Sequence, residues 1–328
     1  MKAVKNSHSS AWIASILLAA TAAPSFADFD YHLERQDKAI SLDLAAGIGY
    51  RTGDLQWSIA SDVTGGETPN ILSELTYSDI ELEEFNSRGR LIFNYGFLEG
   101  VIVEGRFVSG EATDGTNQDS DYNGDNRTGE YSRSLSDAEG SETTEFELIF
   151  GYQVKLSESF SITPKMAYSY NEQHMKMTNG VQILDTRAMA LSLGPFNSDL
   201  NSHYTAEWEG FWLGGDLTWQ SGNHRLNAEI QYHIQDYYAE ANWNLREDFE
   251  HPVSFAHWSD GDGLRWKLNY RYQFSRYFSA WVEASAEDFE ADPGRDVVYF
   301  SNGTRGATRL NGVTWEASGY AFGVEFNY

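Results

Sequence analysis

Strict alternation of apolar and polar positions dominates this chain, and it predicts β-strands in nearly every region. In the last segment Tyr320, Phe322, Val324, Phe326 and Tyr328 share one face, while Ala321, Gly323, Glu325 and Asn327 share the other. Leu264, Trp266, Leu268, Tyr270, Tyr272 and Phe274 alternate with Arg265, Lys267, Asn269, Arg271 and Gln273. Leu226, Ala228, Ile230, Tyr232 and Ile234 alternate with Asn227, Glu229, Gln231, His233 and Gln235. The runs from Phe146 and from Ile40 behave alike. A soluble core does not account for strands with a charge at nearly every second position. In a lipid-embedded barrel the apolar face points outward and the polar face lines the interior. Glu229, His233, Arg265, Lys267 and Arg271 then form a paired polar plug or, as the alternative, line a narrow channel.

Breaks between the runs are short near Leu98–Gly100, Ser157–Ser159, Ser221–Asn223 and Ser275–Tyr277. Long polar stretches fall near Arg51–Asn70, Asp114–Thr143, Asn179–Ser202, Glu247–Gly263 and Ala291–Gly312. Short periplasmic turns alternating with long extracellular loops are the mark of an up-and-down outer-membrane barrel. The expected fold is therefore all-β: an antiparallel up-and-down transmembrane β-barrel of about ten strands with long extracellular loops. Several runs exceed the ~9–11 residues that cross a bilayer, so the strands should project beyond it. The terminal aromatic strand resembles the signal read by the barrel assembly machinery, an expected partner.

The first residues change the picture from fold to address. Lys2 and Lys5 precede an apolar stretch from Ala11 to Ala23, and Ser25-Phe26-Ala27 offers a small-x-small cleavage site before Asp28. This predicts a signal peptide over 1–27 and a single barrel domain over 28–328, placed in the outer membrane of a Gram-negative-type cell. The absence of cysteine suits an oxidising compartment. Asp and Glu number 49 against 23 Lys and Arg, for a net charge of −26. Nucleic acid is an unexpected partner for so acidic a chain, because phosphate binding needs basic surface. Outer-membrane lipid is the expected one.

Candidate chemistry concentrates in the second long polar stretch. Asp119, Asp121 and Asn123 occupy alternating positions, Gly124 offers a sharp turn, and Asp125 and Glu130 come after it. This matches the spacing of a calcium loop, making Asp119, Asp121, Asn123, Asp125 and Glu130 candidate calcium ligands. The flanking helices of such a loop are missing.

Several stretches resemble the omptin superfamily of outer-membrane barrels. They are the Ser-Glu-Leu-Thr-Tyr element ending Leu55–Tyr77, the segment Thr144–Gly180, Lys267–Glu283 and the final strand. Within that superfamily the chain looks nearer to the protochlamydia-type omptin-like outer membrane proteins than to the active proteases. The resemblance implies a site at the barrel rim, with an Asp-x-Asp on one wall, an Asp-x-His on the facing wall and a water between them as nucleophile. Asp119-Ser120-Asp121 matches the first half. In the second half Asn244 stands for the aspartate and Arg246 for the histidine, with alternation expected to turn both inward and Trp243 and Leu245 outward. An Asn cannot accept a proton, and an Arg stays charged. His251, or His257 soon after it, is the stand-in base if the loop folds back. The resemblance also implies lipopolysaccharide as a partner held by basic outer-wall residues, which the acidic balance disfavours. The expected function is a surface or binding role, with a rearranged omptin-type endopeptidase as the alternative.

Overall fold

A computed structural model describes residues 38–187, 193–196 and 199–328. The expected signal peptide over 1–27 lies outside them. Fourteen strands form one antiparallel sheet: β1 (Ile40–Ile59), β2 (Ser73–Phe93), β3 (Val101–Gly124), β4 (Thr128–Asp137), β5 (Glu142–Tyr152), β6 (Val154–Lys155), β7 (Phe160–Asp185), β8 (Gly194–Pro195), β9 (Asn201–Ser221), β10 (His224–Asn242), β11 (Phe255–Gln273), β12 (Phe278–Ala291), β13 (Gly294–Tyr299) and β14 (Arg305–Asn327). They make a ring of ten walls, because β5 and β4 share one wall and β12 and β13 share another. The ring closes where β1 pairs with β14 from Asp43–Asn327 to Ile59–Leu310. Closure leaves no edge in the lipid, where an unpaired backbone amide costs several kcal/mol.

The alternation expected from the sequence holds through the membrane-spanning part. Leu44, Ile48, Phe85, Phe150, Leu213, Trp266 and Val324 face outward and are exposed. The lower interior is filled by ion pairs to which every wall contributes. Arg51 on β1 reaches Glu84 on β2 at 2.7 Å, Glu287 on β12 at 3.0 Å, and Glu145 on β5. Arg265 on β11 contacts Glu145 at 3.0 Å, Glu147 at 3.1 Å and Glu287 at 2.5 Å. Arg106 on β3 bonds Glu229 on β10 at 2.7 and 2.9 Å. Lys165 on β7 meets Asp216 on β9 at 2.7 Å and also Glu229. Arg88 on β2 and Arg271 on β11 share Glu325 on β14. The plug is thus the paired arrangement rather than an open lining.

Above this ionic layer the interior turns apolar. Leu55, Trp57, Leu75, Tyr77, Met175, Tyr204, Trp208, Phe289 and Trp315 pack as one buried cluster. Trp208 lies 4.5 Å from Tyr237 between ring centroids. Gly263 is needed here, since a Cβ at that position would sit 2.1 Å from the Phe289 ring. A barrel of this strand number is near the size that side chains can fill.

The long polar stretches are largely strand. β1 runs on to Ile59, β3 to Gly124, β7 to Asp185, and β4 occupies much of 114–143. Outside the lipid both faces of a strand can be polar, so period-2 apolarity fades while backbone pairing continues. Two bulges mark the change. β2 and β3 shift register between Ser78 and Leu82, with Asp79 at φ 54° opposite Gly115 at φ 144°. A one-residue shift sends the other set of side chains inward. Below it the even positions Glu84, Arg88, Glu104 and Arg106 face the lumen; above it the odd positions Leu75, Tyr77 and Asn117 do.

The outer wall changes character at the same height. Tyr50 and Tyr320 pair at 5.5 Å, and Tyr168 and Tyr232 donate to Glu209 at 2.6 Å and Asp262 at 3.0 Å. Just beyond these tyrosines every wall presents a carboxylate outward, and most of them stand directly opposite another across the sheet. The facing pairs are Glu83–Glu111, Glu111–Glu142, Glu172–Glu207, Glu209–Asp236, Asp236–Asp260, Asp262–Glu290, Asp288–Glu316 and Glu316–Asp54.

Replacing Arg265 by Met leaves Glu145, Glu147 and Glu287 short of a counter-charge inside the barrel. The expected loss of stability is about 3–5 kcal/mol, read as a lower urea midpoint of tryptophan fluorescence for the barrel in vesicles; an unchanged midpoint contradicts the ion-pair account. The filled lumen also predicts no conductance steps above baseline when the wild-type barrel is added to a planar bilayer.

Candidate functional site

Asp119 and Asp121 lie on the part of β3 that projects above the membrane. The bulge at Gly115 turns them to the inner face, where Asp119 pairs in register with Leu75 and Ser134, and Asp121 with Ser73 and Ser132. Leu75 belongs to the aromatic cluster beneath, so the pair sits on the roof of that cluster and is half-buried. Burial and the neighbouring Asp121 push the Asp119 carboxyl up to about 7. Burial also raises Asp121. A buried carboxyl beside a second carboxylate gives up its proton less readily.

The facing side chains come from the end of β10 and from β7. Trp243 hydrogen-bonds Asp119, and the charge of Arg246 acts on both aspartates. Ser73 and Ser132 hydrogen-bond Asp121, which also feels Arg187. Arg246 is anchored to Asp248 at 2.9 Å through two nitrogens and lies 4.1 Å over the Phe249 ring. Arg187 is held by Asp185 at 2.7 and 2.9 Å.

This corrects the expected orientation at the end of β10. Trp243 turns inward, 4.7 Å from Phe255 and packed on the aromatic cluster. Asn244 does not present its amide to the aspartates. Its Oδ1 accepts from the Asn201 amide at 3.0 Å and from Ser202 at 2.9 Å, and its Nδ2 donates to the Asp199 carbonyl at 3.0 Å. The strand ends at Asn242 and the chain turns there, so inward and outward positions no longer alternate.

Neither candidate base reaches the pair. His251 is exposed and hydrogen-bonds Asn242 at 2.7 Å. Asn242 succeeds the inward Ala241 and therefore faces out. His257 is fully buried within the aromatic cluster. It lies 2.9 Å from the Tyr204 hydroxyl, 3.3 Å from Asp296 Oδ1 and 4.9 Å from the Trp57 ring.

The calcium spacing is spread along a hairpin. At about 3.3 Å per strand residue, Asp119 and Asn123 stand roughly 13 Å apart, too far for one ion. Asp125 accepts from Thr68 at 3.0 Å and the Asn70 amide at 2.9 Å, and Glu130 is paired with Arg133 at 2.5 Å. Among the described residues no group of three His, Asp or Glu is arranged to hold a metal. A strand cannot converge its ligands as a calcium loop does, and that is the physical reason the sequence pattern fails here.

Sequence reasoning missed Trp243, Arg187, Ser73 and Ser132 as parts of the site. A glycine inside a polar run was the available signal, because it marks a bulge that re-aims the side chains beyond it.

A carboxyl raised from 3.8 to about 7 makes the folded state bind its proton more tightly than the unfolded chain does. Its favourable contribution is full below pH 3.8 and is lost as the pH rises through 7. Asp119→Asn removes that loss. It should raise the urea midpoint at alkaline pH and leave it nearly unchanged in acid. The full displacement is worth about 4 kcal/mol, part of it screened by solvent at the rim. Equal effects of the substitution at both pH values contradict the account in which burial and the charge of Asp121 hold the proton on Asp119.

The fold resembles that of a known outer-membrane barrel. The outer membrane protease OmpT of Escherichia coli superposes with a TM-score of 0.70 at 11% identity, over 88% of this chain and 97% of that one. OprG of Pseudomonas aeruginosa matches at 13% identity, over 89% and 97% of the two chains, with a TM-score of 0.34. The translocator domain of the autotransporter NalP of Neisseria meningitidis matches at 10% identity, over 90% and 91%, with a TM-score of 0.37. No curated protein matches the chain by sequence. A family described as Protochlamydia outer membrane protein matches residues 45–328. That match over most of its length places the chain in this family of outer-membrane barrels: it is a member of the Protochlamydia outer membrane protein, Pom, family.

Proposed function

We propose that this barrel is a non-proteolytic surface protein that binds an extracellular ligand at its rim, the ligand offering an amine or guanidinium to Asp119 and Asp121. The observation that carries this reading is the side chain facing the pair. Where hydrolysis would need a base, Trp243 donates a hydrogen bond and Arg246 supplies a fixed positive charge. An arginine does not release its proton. A positive group opposite the carboxylates stabilises their charge and supplies no acceptor for a proton from water. The closed aromatic layer beneath supports display at the surface over transport. On this reading the partners are outer-membrane lipid around the wall, the assembly machinery during insertion, and a soluble basic ligand at the rim.

One observation favours the second reading, a rearranged endopeptidase. A carboxyl raised to about 7 beside a second carboxyl is the arrangement in which one acid and one base can share a water.

Incubating the refolded barrel with a library of peptides containing paired basic residues separates the two. The expected result is that every peptide stays intact by mass spectrometry and that basic peptides bind. Asp121→Ala should weaken that binding by roughly tenfold, the worth of a charge-assisted hydrogen bond at an exposed rim. Cleavage that disappears in Asp121→Ala would establish the endopeptidase and remove the binding-only reading.

A further inference from the structure

The outer wall carries an electrostatic conflict that the fold does not resolve internally. Carboxylates face one another across eight of the ten seams, the β1–β2 and β5–β7 seams excepted, immediately above the tyrosines that mark the edge of the apolar band. Like charges directly opposite in a sheet are destabilising. Several are held outward, since Tyr168 donates to Glu209, Tyr232 to Asp262, and Tyr170 to Glu172 at 2.7 Å. Among the described residues the wall at this level sets against them Lys176, bonded to Glu142 at 3.2 Å, His174, the register partner of Glu142, and Arg295, which stands between Trp258 and Arg309. The other described cations lie in the lumen, at the rim or near the short turns.

At one place the ring becomes a groove with a lining of its own. Tyr238 and Trp258 stand opposite each other on β10 and β11, their rings 5.5 Å apart at 47°. Asp236 and Asp260 face each other one step toward the membrane, and Asp292 closes the side. Ser259 Oγ donates to the Asp292 carbonyl at 2.5 Å, and the Asp292 amide donates to the Asp260 carbonyl at 2.8 Å, so the floor is tied down. Trp258 remains 39% exposed. An aromatic face flanked by carboxylates is complementary to an organic cation, an ammonium above all. Phosphate anions meet repulsion at the same wall.

We propose that the outer wall above the apolar band docks the ammonium groups of outer-leaflet headgroups, and that the groove between Tyr238 and Trp258 is a seat for one of them. The surface is continuous with the lipid-facing band, so a headgroup reaches it by being in the membrane. The docked ammonium relieves the facing carboxylates and the barrel becomes more stable.

The test compares the full chain refolded in vesicles of a phosphatidylcholine and of a phosphatidylglycerol with identical acyl chains, at equal ionic strength and with EDTA present. The expected folded-to-unfolded ratio in urea is at least roughly fivefold higher in the choline lipid. That preference shrinks in the double variant Asp236→Asn, Asp260→Asn and in Trp258→Ala. Should those variants fail to insert, wild-type barrel in neutral detergent gives the same reading: tetramethylammonium chloride raises its urea midpoint above that in equimolar sodium chloride. Equal stability in the two lipids overturns the proposal, as does higher stability in the glycerol lipid. A glycerol-lipid preference that appears only with magnesium overturns it in favour of phosphates bridged to the ring by metal. An unaltered choline preference in both variants overturns the groove.

Discussion

The seam between β1 and β14 is the constraint on which the rest depends. Lipid offers no partner to a backbone amide, so the ten walls must close completely, and closure fixes what each side chain sees. Outward positions in the membrane meet acyl chains and are apolar. Inward positions meet the opposite wall and carry charges in matched sets, as Arg51, Arg265, Glu145 and Glu287 do. A buried ion pair is weak as a source of stability but severe when half of it is removed. The lumen therefore works mainly as a specification: with so many partners shared between walls, a slipped register would strand charges.

The rim obeys different rules. Above the bilayer the strands continue while the need for an apolar outer face lapses. The interior can then take an aromatic cluster in place of ion pairs, and bulges at Asp79 and Gly115 re-aim β2 and β3. Asp119 and Asp121 owe their inward direction to that single displacement. Their raised affinity for a proton comes from burial and, for Asp119, from the charge of Asp121 as well.

How much of this could be read from the chain depends on which part of it lipid controls. The spanning segments were fully legible, because a side chain such as Val324 or Trp266 has only one acceptable direction. The ten-walled closure came from their number. Legibility failed where solvent replaces lipid. The stretch 114–143 reads as a loop by polarity alone, although β3 and β4 pair across it. The calcium spacing at Asp119, Asp121 and Asn123 is a pattern in one dimension that an extended strand never brings to a point. At the end of β10 an alternation carried past Asn242 misassigned Trp243, because the chain turns there. The outer ring of carboxylates was visible only as a net charge until register put Asp236 opposite Asp260.

The two layers stacked inside the barrel bear on how such a molecule takes part in the life of a cell. Its lumen is filled first by ion pairs and then by the aromatic cluster. A group held beside Trp243 and Arg246 would sit on the far side of both layers from the short turns. The geometry is that of a mast: long strands lift Asp119 and Asp121 clear of the lipid.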